Sequence, residues 1–226
     1  MKRFLMIGAS VLALTACGQK EATVTYKLDF TLDDDGSKQE LLTQALTVME
    51  GRLQHIQGNT AFSLVPSVKD DGVYVTANVE AQEVADQLLK ELNTPIKIRI
   101  MAQTVEGETP DLTLEGTKDG YIETGVTEKH VKQILSSKNP ANDKGMVQIQ
   151  FTDEGHKKLA EVAKKYAGRT LGIFVREQPM RLFKIIDYKG DDLTVDNAPS
   201  FDIARIFSYD VNVSLYVKFS VVPNPQ

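Results

Sequence analysis

Histidines and paired carboxylates are the side chains of this sequence most able to carry acid–base or metal chemistry. His55, His130 and His156 are far apart, and none belongs to an H-x-x-x-H or H-E-x-x-H spacing that would place two zinc ligands on one helix face. The aspartate pairs at residues 70–71 and 191–192 lie in turn sequences, where aspartate is expected because its carboxylate bonds the nearby backbone. No glycine pattern for binding a phosphate or dinucleotide, or for presenting a serine nucleophile, is present. We therefore expect no enzyme, no metal site and no cofactor, with an acid pair assembled only in the folded chain as the alternative.

A cluster of aspartates before the first predicted helix raises the question of calcium binding. Asp33, Asp35 and Gly36 fall at positions 3, 5 and 6 of an EF-hand loop. The same alignment places Thr31 at position 1 and Leu42 at position 12, where the loop needs carboxylates. We interpret the cluster as the solvated start of a helix rather than as a metal site.

Cys17 is the one side chain whose surroundings predict a covalent modification. Two basic residues precede an apolar run at residues 4–14, which has the layout of a secretory signal and is too short to span a bilayer. The run leads into Leu-Thr-Ala-Cys, which resembles the bacterial lipobox, whose cysteine is acylated and becomes the N-terminus after cleavage. An ordinary buried thiol is the alternative, although a single cysteine leaves an exported chain without an internal disulfide. We expect residues 1–16 to be a lipoprotein signal peptide and residues 17–22 to tether the protein to a lipid bilayer through acylated Cys17.

The charge of the chain argues against polyanionic partners. Removal of the signal takes two basic residues with it, so the formal net charge goes from −5 to about −7. Basic runs are no longer than two residues and are not interleaved with aromatics. Such a chain repels polyanions, and we expect no nucleic-acid partner.

The hydrophobic pattern of residues 23–102 predicts a ferredoxin-like first lobe. Strands show as apolar residues at alternate positions, and helices as apolar residues three or four apart. Ser37 with Glu40 three residues later is a capping box that opens the first helix. The predicted order is β-α-β-β-α-β, with its elements at residues 24–30, 37–57, 62–68, 73–79, 83–92 and 96–100.

Residues 121–222 predict a second lobe of the α+β class with a mixed sheet. Glycines and prolines at residues 103–120 indicate a linker between the lobes, with a loose hairpin as the alternative. A strand, a helix capped by Thr152 and a second strand are predicted within residues 146–175. Further elements are predicted as a helix capped by Thr127 at 127–135, strands at 181–188 and 193–195, a short helix at 201–207 and a long strand at 211–221.

The unit at residues 146–175 also carries a set of residues with motif-like spacing: Phe151, Thr152, Glu154, Gly155, Lys158, Gly168, Leu171 and Ile173. Together they resemble a pattern in the first periplasmic domain of SecD, the accessory subunit of the Sec protein-export machinery. Smaller matches extend the resemblance over most of residues 24–221, as the base and head of that domain: Gly51, Arg52 and Leu53, residues 69–79, and Thr124, Gly125 and Val126.

Departures from SecD limit what the resemblance implies. Residues 176–180 replace the family's Asp-Gly and Ser-Ala-Pro segment, and residues 76–78 replace its Leu-Pro-Gly. The chain has no counterpart of the family's six membrane helices, so proton-driven pulling is not expected of it. The implied role that remains is contact between the head and an unfolded polypeptide outside the membrane.

Aromatic residues that depart from the alternation of the predicted strands indicate where such a polypeptide would bind. In a strand, every second residue faces the core. Phe174, Tyr209 and Tyr216 are out of step with the core-facing positions predicted around them. A sheet covered on both faces would explain them, and an exposed groove for extended peptide is the functional alternative. These three residues are the predicted peptide-binding surface.

The sequence thus predicts a lipoprotein outside the cytoplasm, in the periplasm or at the cell surface, that binds rather than catalyses. Its expected partners are unfolded secretory polypeptide or components of the Sec translocon. The alternative function is an envelope structural or interaction lipoprotein that reuses the fold with no export role.

Overall fold

The computed structural model describes residues 21–32, 34–184 and 191–223. The predicted signal peptide, Cys17, Asp33 and the end of the strand predicted at 181–188 lie outside these residues, so the statements made about them stay predictions. Along the chain the elements are β1 (Ala22–Phe30), α1 (Asp35–Gln57), β2 (Ser63–Lys69), β3 (Gly72–Val79), α2 (Gln82–Leu92), β4 (Ile98–Gln103), β5 (Leu112–Thr113), β6 (Gly120–Thr127), β7 (Val131–Lys138), β8 (Gly145–Phe151), α3 (Asp153–Lys165), β9 (Thr170–Val175), β10 (Gln178–Lys184), β11 (Leu193–Ala198), α4 (Phe201–Tyr216) and β12 (Val217–Val221).

The α+β class predicted from the sequence is confirmed, because the described residues form four helices and three sheets. The first sheet has the order β12-β1-β3-β2, the second β10-β9-β4-β6-β5, and the third β11-β8-β7. Every pairing described in these sheets is antiparallel, so the mixed sheet expected for the second lobe is wrong. The physical reason is that α3 carries the chain from β8 in the third sheet to β9 in the second, whereas a parallel pair needs both strands in one sheet.

The fourth strand of the ferredoxin-like sheet is β12, at the end of the chain, and not the predicted strand at residues 96–100. That predicted strand corresponds to β4, which lies between β9 and β6 in the second sheet. Buried residues at 98 and 100 to 102 cover both faces of β4, as the centre of a sheet requires. In β12, Val217 and Phe219 are buried in the first core while Lys218 and Ser220 are exposed, which suits an edge strand. The division of the chain into a first lobe at 23–102, a linker at 103–120 and a second lobe at 121–222 stays a prediction.

The unit built around α3 matches its prediction closely. Thr152 accepts a hydrogen bond from the backbone N–H of Gly155 at 3.1 Å and so caps the helix. Leu159 and Val162 are buried beneath it, and Gly168 adopts a φ of 80° beyond its end. The first helix is capped by Asp34, which accepts from the N–H of Ser37, rather than by Ser37 itself.

One further prediction fails where strand pairing overrides the local signal. The helix predicted from Thr127 to Leu135 is only a three-residue 3-10 turn, Glu128–His130, followed by β7. Val131 and Ile134 are buried when β7 pairs with β8, and that burial favours the strand. Within the predicted linker, β5 pairs with β6, as the alternative of a loose hairpin anticipated.

The strand predicted at residues 211–221 is a helix as far as Tyr216. The final helix, α4, is longer than the helix predicted at 201–207, and it lies between two hydrophobic cores. One face packs on the second core through Ala204, Phe207, Val211 and Leu215, while Tyr209, Val213 and Tyr216 pack on the first. Two stripes with helical spacing on opposite sides of one helix produce apolar residues at every second position. This explains why the sequence pattern resembles a strand.

A polar stripe on α4 covers the outer edge of β7. The Asn212 side chain accepts from Ile134 N–H at 2.8 Å and donates to Ile134 C=O at 2.9 Å, as a neighbouring strand would. One turn before it, Ser208 bonds the Ser136 hydroxyl, and one turn after it the Tyr216 hydroxyl donates to the Lys132 carbonyl. This helix therefore satisfies the backbone of an edge strand that would otherwise be buried without partners.

Replacing Asn212 by alanine is expected to lower the free energy of unfolding by about 2–4 kcal/mol. The change removes two buried hydrogen bonds and leaves the N–H and C=O of Ile134 unpaired, away from water. Urea denaturation followed by circular dichroism measures the difference. Asn93→Ala is the matched control, because Asn93 makes the same two bonds to Phe219 but is exposed, so water replaces it and the loss should be about 1 kcal/mol or less. Equal losses for the two variants would contradict the role given to α4.

Stability should fall at alkaline pH because of Tyr26 in the first core. Burial, with a smaller effect of the Asp86 carboxylate, raises the pKa of this phenol to about 12. The folded pKa lies above the unfolded value near 10, so the stabilisation is complete below pH 10 and disappears as the pH rises through 12. Between pH 10 and pH 12, we expect the free energy of unfolding of Tyr26→Phe to fall by about 2–3 kcal/mol less than that of the natural protein. Urea titrations at each pH measure this difference. If the free energy of unfolding depended on pH in the same way for the two proteins, the assignment to Tyr26 would be wrong.

Candidate functional site

An open groove lies between β10 and β11. These strands follow each other in the chain but are the outer strands of different sheets, with β10 beside β9 and β11 beside β8. Among the described residues, no backbone hydrogen bond joins β10 to β11. Within the described residues, each of these strands therefore has one edge without a strand partner, next to a gap between the sheets.

This gap is a groove of about 550 Å³, a size typical of ligand-binding clefts. Its walls are β10, β11 and the first two turns of α4. At the rim, Leu182 is 46% exposed and Ile203 is 50% exposed. The remaining lining side chains are mostly apolar: Val147, Met180, Val195, Ala198, Pro199, Ala204 and Phe207.

One charged pair crosses the groove. Arg181 donates from Nη1 to the Thr194 carbonyl at 2.5 Å and to Asp196 Oδ1 at 2.7 Å, which ties β10 to β11 where strand hydrogen bonds are missing. Arg181 and Asp196 are the only charged residues among the described lining, and they neutralise each other. The groove thus favours an uncharged, apolar occupant with backbone groups to offer to the strand edges.

The close approach of α4 to this groove depends on Gly145 at the start of β8. A side chain at this position would collide with the Ser200 carbonyl, and its Cβ would lie 2.6 Å from the Cβ of Ala204. Ser200 in turn caps α4 by accepting from the N–H of Ile203 at 3.2 Å. These contacts set where the exposed Ile203 lies along the groove.

The three aromatic residues predicted to form a peptide-binding surface do not lie together. Phe174 is 0% exposed, and its ring packs edge-on against Tyr121 at 5.0 Å, so it has no surface to offer. Tyr209 and Tyr216 are half-buried and line a different cavity, beside α1 and β7. Burial raises the pKa of Tyr216 above its ordinary value. A binding role for these residues stays a prediction, and the groove at β10 and β11 contains none of them.

His130, His156 and Asp192 have structural partners. His130 Nδ1 accepts from Thr127 N–H at 3.1 Å and closes the 3-10 turn. Asp192 accepts from Phe151 N–H at 3.3 Å and from Gln148 at 3.2 Å, and its carboxylate lies 3.6 Å from His156 Nε2. Within residues 21–32, 34–184 and 191–223, no three histidine, cysteine, aspartate or glutamate side chains are grouped so that they could hold a metal ion.

Sequence reasoning missed the residues that line the groove. Leu182 and Phe183 are adjacent apolar residues in a strand, which indicates that both faces of β10 contact something apolar. Ile203 and Ile206 are exposed and lie one turn apart among the polar residues of α4. Both signals were readable, but only the pairing of the sheets shows that Leu182 and Ile203 meet at one groove.

No helix in the described part of the chain has the length and apolar character needed to cross a membrane.

Comparison with known proteins finds similarity among solved structures alone. No protein-family model matches the chain, and no curated protein is similar to it. A structure described as a membrane component SecDF that enhances protein export is 16% identical, with a TM-score of 0.47, over 91% of this chain and 100% of that one. SecDF in its super-membrane-facing form is 16% identical with a TM-score of 0.48, and SecDF from Thermus thermophilus is 18% identical with a TM-score of 0.43. This chain spans 30% of each of these two longer proteins. SecDF is also the protein whose SecD part the sequence resembles.

Proposed function

We propose that this protein is a non-enzymatic lipoprotein outside the cytoplasm that binds extended segments of unfolded polypeptide, in support of protein export. The observation that carries the proposal is the groove between β10 and β11, where two strand edges without a strand partner among the described residues lie beside apolar side chains. Its binding site is the pair of strand edges, and its occupant is a peptide strand.

Strand edges select the conformation of the occupant. A peptide in the extended conformation donates and accepts backbone hydrogen bonds along an edge, whereas a helix has already used these groups internally. Alternate side chains of such a peptide point to the same side, where Met180, Leu182 and Ile203 offer apolar contacts. Unfolded polypeptides expose apolar segments that fit this description, while folded proteins bury them.

Two features of the sequence support the cellular setting. The lipobox-like Leu-Thr-Ala-Cys ending at Cys17 supports export and attachment to a membrane on its outer side. The resemblance of residues 146–175 to the SecD head supports contact with polypeptides that emerge from the Sec translocon.

Photocrosslinking from the groove tests the proposed ligand. With p-benzoylphenylalanine in place of Ile203, we expect crosslinks in cells to secretory chains or to translocon subunits, because this side chain is at the groove rim. Ile206→p-benzoylphenylalanine is the matched control, since Ile206 is 53% exposed on the same helix but does not line the groove. Its yield of the same crosslinks should be at least fivefold lower.

Other patterns of crosslinks lead to different conclusions. Capture restricted to folded envelope proteins would contradict the export role and favour an envelope-interaction lipoprotein. Equal yields from positions 203 and 206 would show that the groove does not select the partner.

Cys17→Ser tests the lipid anchor separately. Without the thiol there is no atom for acylation, so the protein should move from the membrane fraction to the soluble fraction or remain an uncleaved precursor. Immunoblots of fractionated cells, together with the mass of the mature N-terminus, measure the change. A processed Cys17→Ser protein that stays in the membrane fraction would show that the anchor is not this lipid.

A further inference from the structure

A side chain from β10 occupies the edge of β11 at which the proposed peptide strand would pair. Arg181 donates from Nη1 to the Thr194 carbonyl at 2.5 Å, so this carbonyl faces β10 across the groove and not β8. A peptide strand that extended the third sheet beyond β11 would place one of its own N–H groups on this carbonyl. Arg181 and the peptide therefore approach the same acceptor from the same side.

The guanidinium is held in this position by a carboxylate of β11. The same Nη1 donates to Asp196 Oδ1 at 2.7 Å, two residues along the strand from Thr194. The Arg181 side chain is 34% exposed and the Asp196 side chain is 49% exposed. Water and dissolved ions screen so exposed a pair, so its contribution to stability is small and falls as the salt concentration rises.

The cover on the edge of β7 is built differently. Asn212 is buried and binds both the N–H and the C=O of Ile134, so its removal would leave two backbone groups without partners away from water. Arg181 binds one carbonyl of an exposed residue, where water or a peptide N–H can take its place. The third sheet thus has a permanent cover on one outer edge and an exchangeable cover on the other.

From this contrast we infer that Arg181 is a displaceable cap on the edge of β11, which an extended peptide must move aside before it pairs with Thr194. The inference rests on the proposed function of the groove and adds a means of regulating it. The pair of Arg181 and Asp196 weakens peptide binding at low ionic strength and releases the edge when the pair is screened. Charged side chains are a common cover for strand edges, because they keep these edges from pairing with other chains.

Arg181→Met tests the cap, with a short synthetic peptide of alternating valine and threonine as the probe. Both ends of the peptide are blocked, and it carries an uncharged fluorophore. Methionine keeps an unbranched apolar stem in the groove but removes the donor, so the Thr194 carbonyl becomes open to the peptide. We expect the peptide to bind Arg181→Met about fivefold more tightly than the natural protein in about 0.05 M NaCl. Fluorescence anisotropy of the peptide, titrated with the full chain purified in detergent, measures the Kd.

The dependence on salt distinguishes a cap from a purely structural contact. In about 0.5 M NaCl the pair of Arg181 and Asp196 is screened, so the Kd of the natural protein should come within about twofold of that of Arg181→Met. The effect of salt on apolar contacts is common to both proteins and cancels in the ratio of their Kd values. Asp196→Asn keeps the shape of the side chain but removes its charge, so it should also bind the peptide more tightly than the natural protein at low salt.

Arg205→Met is the matched control for the loss of one positive charge. Arg205 also pairs with an aspartate, Asp202, at 3.0 Å and is partly exposed, but it does not line the groove. The Kd of this variant should equal that of the natural protein at both salt concentrations.

The contrary outcomes are distinct from one another. If Arg181→Met were folded by circular dichroism but bound the peptide no more tightly than the natural protein, the groove would bind peptide and the cap would be wrong. A ratio of Kd values that did not change with salt, or an equal gain in Arg205→Met, would also overturn the inference. If Arg181→Met did not fold, Asp196→Asn would decide by the same criteria. If the natural protein and all three variants failed to bind the peptide, the proposed function would be wrong, and the cap with it.

Discussion

The pairing of Asn212 with both backbone groups of Ile134 is the interaction on which the rest of the structure depends. It allows α4 to replace a neighbouring strand along β7, so the third sheet ends against a helix instead of water. Because α4 also buries one face in each hydrophobic core, it joins the ferredoxin-like part to the second part. The chain then leaves α4 directly into β12, which completes the first sheet beside β1. Arg52 of α1 pairs with Asp210 of α4 and strengthens the same junction.

The position of α4 also shapes the open spaces on either side of it. A helix held on two sides leaves its remaining surfaces to shape the spaces beside it, and these are the groove at β10 and β11 and the cavity at α1 and β7. The groove is mostly apolar, and within the described residues the strand edges beside it have no strand partner, which is the basis for proposing a peptide strand as its occupant.

Local elements were predictable from the sequence wherever a single signal decided them, as with Thr152 at the start of α3 or the hairpin of β2 and β3. The predictions failed where tertiary contacts decided. The apolar alternation from Val211 to Tyr216 predicted a strand because a helix buried on two sides can produce the same spacing. The fourth strand of the first sheet was assigned to the wrong part of the chain, because the sequence of a strand does not indicate which other strand it pairs with. The groove was missed for the same reason: Leu182 and Ile203 meet only because β10 and β11 end different sheets.

Hydrogen–deuterium exchange of the full chain, with and without a permanently unfolded polypeptide, tests the central claim most directly. Binding along the strand edges should slow exchange in β10 (Gln178–Lys184) and β11 (Leu193–Ala198). The outer strand β2 (Ser63–Lys69) is an internal control, because it also has an open edge and exposes Val65 and Val68 but lies in the first sheet. Protection of β10 and β11 with unchanged exchange in β2 is the predicted result. Protection of β2 alone, or no protection of either groove strand by a polypeptide shown to bind, would contradict the proposed site.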